Sequence, residues 1–167
     1  MRPMLRPLTV VFLALALLTA CGFHLQGRQG LPAPLARVHL EADERQSEFV
    51  ASLRAALKGA GAVIEPQPGV GIARVRVLRD RVTERVLTVS ARNIPTDYEL
   101  THDVRVAVDG PDGRELMPQE DFMQTRVYSF DERKLLAKER EKDLLLAAMA
   151  RDMSSVVLRR LGSLQAQ

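Results

Sequence analysis

The chain has 167 residues, and its 24 lysines and arginines against 21 aspartates and glutamates give a formal net charge of +3 at pH 7. This near balance excludes a general polyanion binder, so no nucleic-acid partner is expected. Hydrophobic residues make up 46% of the sequence, which suits one domain with a substantial core, and the single cysteine excludes an internal disulfide.

The N-terminal segment has the pattern of an export signal. Arg2 and Arg6 are followed by an uncharged apolar run at 8–18, LTVVFLALALL. This run has about half of the roughly 20 residues that a membrane-spanning helix needs. A basic start, a short apolar stretch and small residues before a cleavage point are typical of a secretory signal peptide. We therefore predict that residues 1–20 are removed, which leaves 22 basic residues against 21 acidic ones, a net charge of +1.

Cys21 follows directly after this signal. Leu18-Thr19-Ala20-Cys21 resembles the bacterial lipoprotein box, in which the thiol receives diacylglycerol, the signal is cut before the cysteine and the new amino group is acylated, for example with palmitate. Two or more acyl chains, each contributing about 0.8 kcal/mol per buried methylene, hold a protein stably on a membrane. Gly22 at the next position fits an outer-membrane destination. The alternative is a buried cysteine behind a short anchor helix.

The remaining chain divides into a linker, one domain and a tail. Three glycines, Pro32 and Pro34 predict a lipidated N-terminus and linker at 21–36. We place a single folded domain at 37–162 and a short flexible tail at 163–167.

The first half of the domain predicts a strand and a helix. Residues 38–40 are a short strand candidate, and Asp43 with Gln46 three positions later resembles a capping box. The apolar residues that follow have helical spacing, with stop residues at Gly59 and Gly61. This predicted helical stripe consists of Phe49, Val50, Leu53, Ala56, Leu57 and Ala60.

Three strands and a second helix follow. Alternation predicts strands at 74–89, with a bulge between 78 and 82, at 98–108 and, after Pro118, at 122–130. Asp131 is a candidate cap for a helix at 135–161 that contains no proline or glycine. One face of that helix is apolar: Leu145, Leu146, Met149, Met153, Val156, Val157 and Leu161.

This order predicts an α+β fold, a two-layer sandwich with two helices packed on one face of a four-stranded mixed β-sheet. The last three strands form an antiparallel meander, and the first strand joins them by a crossover.

No catalytic or metal-binding pattern stands out in the sequence. The three histidines, His24, His39 and His102, are far apart and lack paired metal-ligand spacing. His102 interrupts an apolar strand, where we interpret it as a hydrogen-bonded core histidine. We therefore predict a protein that is not an enzyme, binds no metal and carries no cofactor apart from the lipid on Cys21.

The long predicted strand is rich in arginine. Guanidinium groups match the geometry of phosphates and carboxylates. The alternative, which we favour for most of these side chains, is a solvated strand face with Asp80 and Glu84 as partners. The arginines are Arg74, Arg76, Arg79, Arg81, Arg85 and, in the following turn, Arg92.

Four segments, taken in order, resemble the lipopolysaccharide-assembly lipoprotein family, the LptE family. They are CGFHLQG at 21–27, TDYELTHDVRVAV at 96–108, RVYSFDERKLLAKEREKD at 126–143 and LRRL at 158–161. The resemblance extends across the mature chain, and its strength is the order of the segments. It implies two helices on a four-stranded sheet, in agreement with the periodicity.

The resemblance also implies a function. Such a protein is anchored by lipid in the outer membrane, on its periplasmic side. There it plugs the lumen of the lipopolysaccharide-assembly β-barrel, helps the barrel to assemble, and binds lipopolysaccharide during delivery to the cell surface. A basic residue before the Tyr-x-Leu strand and the lysine of Leu-Ala-Lys are the implied lipopolysaccharide ligands. Lys138 matches directly, whereas Arg92 matches after a shift of one residue.

Two other functions stay open. One is a generic periplasmic adaptor or pilot lipoprotein that stabilises another envelope complex. The other is an envelope hydrolase using His102 or a carboxylate, which the missing catalytic pattern disfavours.

Overall fold

The computed structural model describes residues 30–43, 47–130 and 135–164. The predicted signal peptide, Cys21, Gln46 and Asp131 lie outside these ranges. After a short 3₁₀ turn at Ala33–Leu35, the described residues form five strands and two α-helices. In chain order they are β1 (Arg37–Ala42), α1 (Glu48–Gly59), β2 (Val63–Glu65), β3 (Ala73–Val89), β4 (Pro95–Asp109), β5 (Glu115–Ser129) and α2 (Leu135–Gly162).

The strands form one mixed sheet in the order β2-β1-β3-β4-β5. β1 is parallel to both β2 and β3, whereas β3, β4 and β5 are an antiparallel meander. The prediction of an α+β fold with two helices and a mixed sheet is confirmed. The chain enters β3 from β1 through α1 and β2, which is the predicted crossover.

The prediction of four strands is wrong because β2 adds a fifth. Three residues are too few to show an alternating pattern, so nothing in the sequence marks this strand. Contacts with β1 hold it in place: the Val63 backbone N–H donates to the Ala36 carbonyl at 2.8 Å, and Arg37 Nη2 lies 2.8 Å from Glu65 Oε1.

Both helices bury residues in the same core as alternate residues of the sheet. In β3, Ala73, Val75 and Val77 are buried, while Arg74 and Arg76 between them remain partly accessible. This alternation is the period-two pattern of a strand with one covered face. The core includes Leu35, Val38, Phe49, Val50, Leu53, Leu57, Val104, Val106, Val108, Met117, Ala150, Met153, Val157 and Leu161.

A bulge at Leu78 reverses which side of β3 faces the helices. The register shifts between Val77 and Arg79, within the predicted interval 78–82. Beyond it, Asp80 and Glu84 pair with Val104 and Leu100, which are buried on the helix side. An inserted residue changes the parity of a strand, so these two acids lie on the helix side of the sheet and not beside the arginines.

Two local predictions need correction. Helix α1 is capped by Ser47, whose Oγ accepts a hydrogen bond from the Val50 backbone N–H at 3.0 Å, and Asp43 is an exposed bend residue. β5 begins at Glu115 and therefore contains Pro118. The proline is tolerated because β5 is an outer strand and because its register with β4 is irregular between Val106 and Val108.

Candidate functional site

Arg92 lies in the turn between β3 and β4. The Ser90 backbone N–H donates to the Ile94 carbonyl at 2.8 Å, and the Asn93 N–H donates to the Ser90 carbonyl at 2.9 Å. Asn93 has φ 58°, a left-handed conformation that asparagine tolerates better than most residues. Arg92 is exposed, and none of the ion pairs within the described ranges includes it. The turn therefore presents its guanidinium to solvent from an ordered backbone.

Lys138 is in the first turn of α2. Its side chain is 19% exposed, and its Nζ donates to Glu141 Oε2 at 2.7 Å. One turn further along the helix, Lys142 Nζ contacts Glu84 Oε2 of β3. This contact fixes the beginning of α2 against the distal half of β3.

The structure places Arg92 and Lys138 at the same end of the domain without bringing them into contact. At about 1.5 Å per helical residue, Lys138 lies about 6 Å beyond Lys142 along α2. At about 3.3 Å per strand residue, the turn begins about 20 Å beyond Glu84 along β3. The helix α2 runs antiparallel to β5, because Arg126 lies near Asp152 and Glu120 lies near Arg160. The beginning of α2 is therefore at the same end of the sheet as the end of β5 and the turn between β3 and β4.

Glu84 links the sheet to α2 beneath this end. It accepts a hydrogen bond from Tyr128 Oη at 2.6 Å as well as one from Lys142. Burial raises the pKa of Glu84, but the hydrogen bonds from Lys142 and Tyr128 outweigh it and leave that pKa below its usual value. Burial and the Glu84 carboxylate raise the pKa of Tyr128. This cluster could not be predicted from the sequence, because the bulge at Leu78 sets the direction of the Glu84 side chain.

The Tyr-x-Leu motif forms a second, smaller core at this end. Leu100, Tyr128 and Met149 are buried together, and Tyr98, Leu145 and Leu146 pack against them. The rings of Tyr98 and Tyr128 stack with centroids 5.5 Å apart. Phe130 meets Tyr98 edge to face at 5.7 Å. The motif residues therefore contribute to the packing at this end of the domain.

Most arginines of β3 form cross-strand ion pairs on the sheet face opposite the helices. Arg76 Nε lies 3.0 Å from Asp109, Arg79 Nη2 lies 2.8 Å from Asp121, and Arg85 Nε lies 2.7 Å from Glu99. Arg105 shares Asp121 at 2.6 Å. The prediction of a solvated, ion-paired strand face is correct for these arginines. The predicted partners, Asp80 and Glu84, are wrong, because β4 and β5 supply the acids.

His102 is a core residue. It is 2% exposed, its Nε2 lies 2.8 Å from Asp80 Oδ1, and its ring meets Phe49 edge to face. Burial raises the pKa of Asp80, but hydrogen bonds from His102 and Ser47 outweigh it and lower that pKa overall. The other ring nitrogen of His102, Nδ1, is buried and has no hydrogen-bond partner among the described residues. In a catalytic triad the imidazole is bonded to the nucleophile, so this arrangement gives the hydrolase alternative no support.

Across 30–43, 47–130 and 135–164, no group of three or more His, Cys, Asp or Glu side chains is arranged to hold a metal ion. In those ranges, neither helix combines the length and apolar character that a membrane-spanning helix requires.

Comparison with solved structures finds the same fold in bacterial lipoproteins. A rare lipoprotein B from Shewanella oneidensis is 22% identical, covers 76% of this chain and 94% of its own, and has a TM-score of 0.66. A lipoprotein B from Nitrosomonas europaea is 22% identical, with coverage of 85% and 91% and a TM-score of 0.71. A minor lipoprotein from Acinetobacter baumannii is 14% identical and has a TM-score of 0.64. The alignment covers 77% of this chain and 92% of that lipoprotein.

No curated protein matches the chain. The model of one sequence family does, over residues 35–161, which begins in the 3₁₀ turn and extends nearly to the end of α2. That family is described as LptE, lipopolysaccharide-assembly. Because the match covers most of the chain, this protein belongs to the LptE lipopolysaccharide-assembly family.

Proposed function

We propose that the protein is a lipid-anchored outer-membrane lipoprotein that plugs the lipopolysaccharide-export β-barrel, helps it to assemble, and binds lipopolysaccharide during delivery to the cell surface. The family match over 35–161 carries this proposal. The protein acts by binding, without catalysis and without a metal or other cofactor.

Arg92 and Lys138 are the proposed lipopolysaccharide ligands. Lipid A carries phosphates, and a guanidinium binds a phosphate through two parallel hydrogen bonds, whereas an ammonium acts as a point charge. Arg92 is exposed at the end of a hairpin, which suits first contact with a large ligand. Lys138 must exchange Glu141 for the phosphate, and a surface ion pair of this kind contributes only about 0.2–1 kcal/mol. The exchange therefore costs little.

The ion-paired sheet face supports a position inside a barrel. The lumen of a large outer-membrane barrel is polar, so a plug needs a polar surface. The face opposite the helices carries alternating cations and anions from β3, β4 and β5. Such a surface can exchange hydrogen bonds with a polar wall.

The proposed anchor is the acylated Cys21, exposed by removal of residues 1–20. Gly30, the first described residue, is nine positions after Cys21, and a fully extended chain spans about 3.3–3.6 Å per residue. The linker at 21–36 therefore allows the domain to lie up to about 30 Å from its acyl chains. This reach is sufficient for the anchor to stay in the membrane while the domain enters a barrel.

Charge reversal tests the binding site. We expect Arg92→Glu and Lys138→Glu in the full-length lipoprotein to weaken capture by immobilised lipopolysaccharide, with the double variant weakest, while the circular dichroism spectrum is unchanged. The matched control is Arg114→Glu, in the β4–β5 turn at the other end of the sheet, where the side chain is 86% exposed. Capture that falls equally in all three single variants, or in none, would remove Arg92 and Lys138 from the site.

Co-purification separates this proposal from the adaptor alternative. The lipoprotein extracted from outer membranes in mild detergent is expected to bring with it a lipopolysaccharide-exporting barrel in equal amount. Reproducible recovery of a different envelope complex, without that barrel, would favour the generic adaptor or pilot lipoprotein.

A further inference from the structure

A groove of about 540 Å³ lies between β5 and the second half of α2. β5 contributes the residues from Asp121 to Arg126, and the wall formed by α2 extends from Asp152 to Arg159. The groove contains neither Arg92 nor Lys138. It is therefore separate from the proposed lipopolysaccharide ligands, and the family resemblance assigns it no role.

One wall of the groove is an open strand edge. β5 is the outermost strand of the sheet, and among the described residues its ladder partners all belong to β4. In an antiparallel ladder, every second residue of an outer strand directs its backbone N–H and C=O groups away from the sheet. These groups are available to pair with another extended chain. The central residues of this wall, Met123 and Gln124, pair with Asp103 and His102 on their inner side only.

The opposite wall is one face of α2. Asp152, Ser155, Val156 and Arg159 have the spacing i, i+3, i+4 and i+7, so they lie along one side of the helix. Val156 is 38% exposed. Across the groove, Phe122 and Gln124 of β5 face α2, whereas Met123 between them pairs with Asp103 and lies on the ion-paired face of the sheet. The uncovered apolar side chain in the middle of the groove is therefore that of Val156.

The charges of the groove are uneven along its length. At one end, Arg126 Nη2 lies 3.2 Å from Asp152 Oδ2, so that pair is neutral. At the other end, Arg159 is exposed, and the ion pairs found in the described ranges do not include it. Its neighbour Arg160 already binds Glu120 at 2.9 Å. The groove therefore has an uncompensated positive charge near one end and the apolar side chain of Val156 at its centre.

We propose that this groove binds an extended segment of a partner protein, which adds to the edge of β5 as a sixth strand. The segment carries an acidic side chain that pairs with Arg159. It also carries an apolar side chain, two residues away on the same face, that covers Val156. A spacing of two residues places both side chains on one face of a strand, about 7 Å apart.

A peptide fits the groove better than a lipid does. Strand addition joins main-chain hydrogen bonds from a free edge with side-chain contacts at alternate positions, and the groove offers both. An acyl chain would leave the backbone groups of β5 without partners and would place hydrocarbon beside Asp121, Asp152 and Gln124. This inference depends on the open edge and the α2 wall, and it does not require lipopolysaccharide binding.

Fluorescence anisotropy with a designed peptide tests the proposal. The probe is a fluorescein-labelled peptide of about nine residues. Its odd positions are threonine, and its even positions, which share one face of a strand, are one glutamate followed by valines. The protein is the full-length lipoprotein in phosphatidylcholine nanodiscs. We expect saturable binding that weakens roughly five- to tenfold in Arg159→Glu, because a favourable ion pair becomes a repulsive one. Val156→Glu should weaken it by tenfold or more, because a carboxylate then faces the apolar contact.

Two controls isolate the strand pairing. Arg151→Glu makes the same charge change on an exposed position of α2 outside the groove, and binding to it should stay within twofold of the parent. Probe peptides methylated at single backbone nitrogens should lose binding at alternate positions only, because only every second N–H points towards β5.

Three results would overturn the proposal. The first is no saturable binding of the probe. The second is a series of methylated probes in which the loss of binding does not alternate along the peptide, which would show that the peptide binds through side chains and does not add as a strand. The third is a photo-crosslink from position 156 to nanodisc lipid in place of peptide, which would assign the groove to a lipid. Each of these results leaves the charge-reversal test on Arg92 and Lys138 unaffected.

Discussion

Replacing Tyr128 by phenylalanine removes a single hydroxyl from the link between the sheet and α2. Tyr128 is 7% exposed, and its Oη donates to the Glu84 carboxylate at 2.6 Å. A hydrogen bond to a charged group contributes about 1.5–3 kcal/mol. Glu84 keeps its contact with Lys142 and is partly accessible to water, so we place the loss at the low end, about 1.5 kcal/mol. The ring still stacks on Tyr98, so the packing contribution is unchanged.

The loss should depend on pH at both ends of the scale. The pKa of Glu84 is lower in the folded protein than its usual 4.5. The Glu84 carboxylate therefore adds to the free energy of unfolding above pH 4.5, and this stabilisation is lost as the pH falls through the folded pKa. The pKa of Tyr128 is raised above its usual 10.0. The Tyr128 hydroxyl therefore adds to the free energy of unfolding below pH 10, and this stabilisation is lost as the pH rises through the folded pKa. The difference in the free energy of unfolding between the parent protein and Tyr128→Phe is therefore largest between about pH 5 and pH 9.

Urea unfolding followed by far-ultraviolet circular dichroism measures this difference. The chain has no tryptophan and two tyrosines, so fluorescence would change with the substitution itself. Tyr98→Phe is the matched control, because no hydrogen bond from the Tyr98 hydroxyl to any described residue is found. Its effect should stay below about 0.5 kcal/mol. A Tyr128→Phe effect equal to that of the control, or one that does not change between pH 3 and pH 7, would refute the reasoning.

Three further substitutions, one of them a control, test contacts near α1. Ser47→Ala removes the N-cap bond to Val50 and should lower the free energy of unfolding by about 1 kcal/mol in urea melts, whereas Asp43→Ala, at the predicted but unused cap, should change it by less than about 0.5 kcal/mol. Asp80→Ala leaves the buried His102 without its partner and should cost about 1–3 kcal/mol at pH 7. A thermal midpoint for Asp80→Ala equal to that of the parent would show that the pair contributes nothing to stability.

The regular parts of the fold follow from local patterns. The stripe from Phe49 to Leu57 spaces apolar residues for one helical face, and that face is buried in the structure. Val75 and Val77 alternate with Arg74 and Arg76, and this alternation separates a covered face from an ion-paired one. Such patterns are visible in sequence because each element repeats its own period.

The features that could not be predicted depend on pairing between distant segments. β2 exists because Val63 and Glu65 meet β1, and three residues alone carry no period. The parity change at Leu78 was expected, but its consequence for Glu84 required the position of Lys142, which lies 58 residues further along the chain. Pro118 fits in β5 only because that strand is outermost. The groove beside β5 likewise required knowledge of where α2 crosses the sheet.

Photo-crosslinking in living cells tests the central claim most directly. A photoreactive residue is introduced into the full-length lipoprotein at position 92, at position 138 or, as a control at the opposite end of the sheet, at position 114. We expect adducts with lipopolysaccharide from positions 92 and 138 and none above background from 114. Lipopolysaccharide captured equally from all three positions, or from none of them, would contradict a binding site at Arg92 and Lys138.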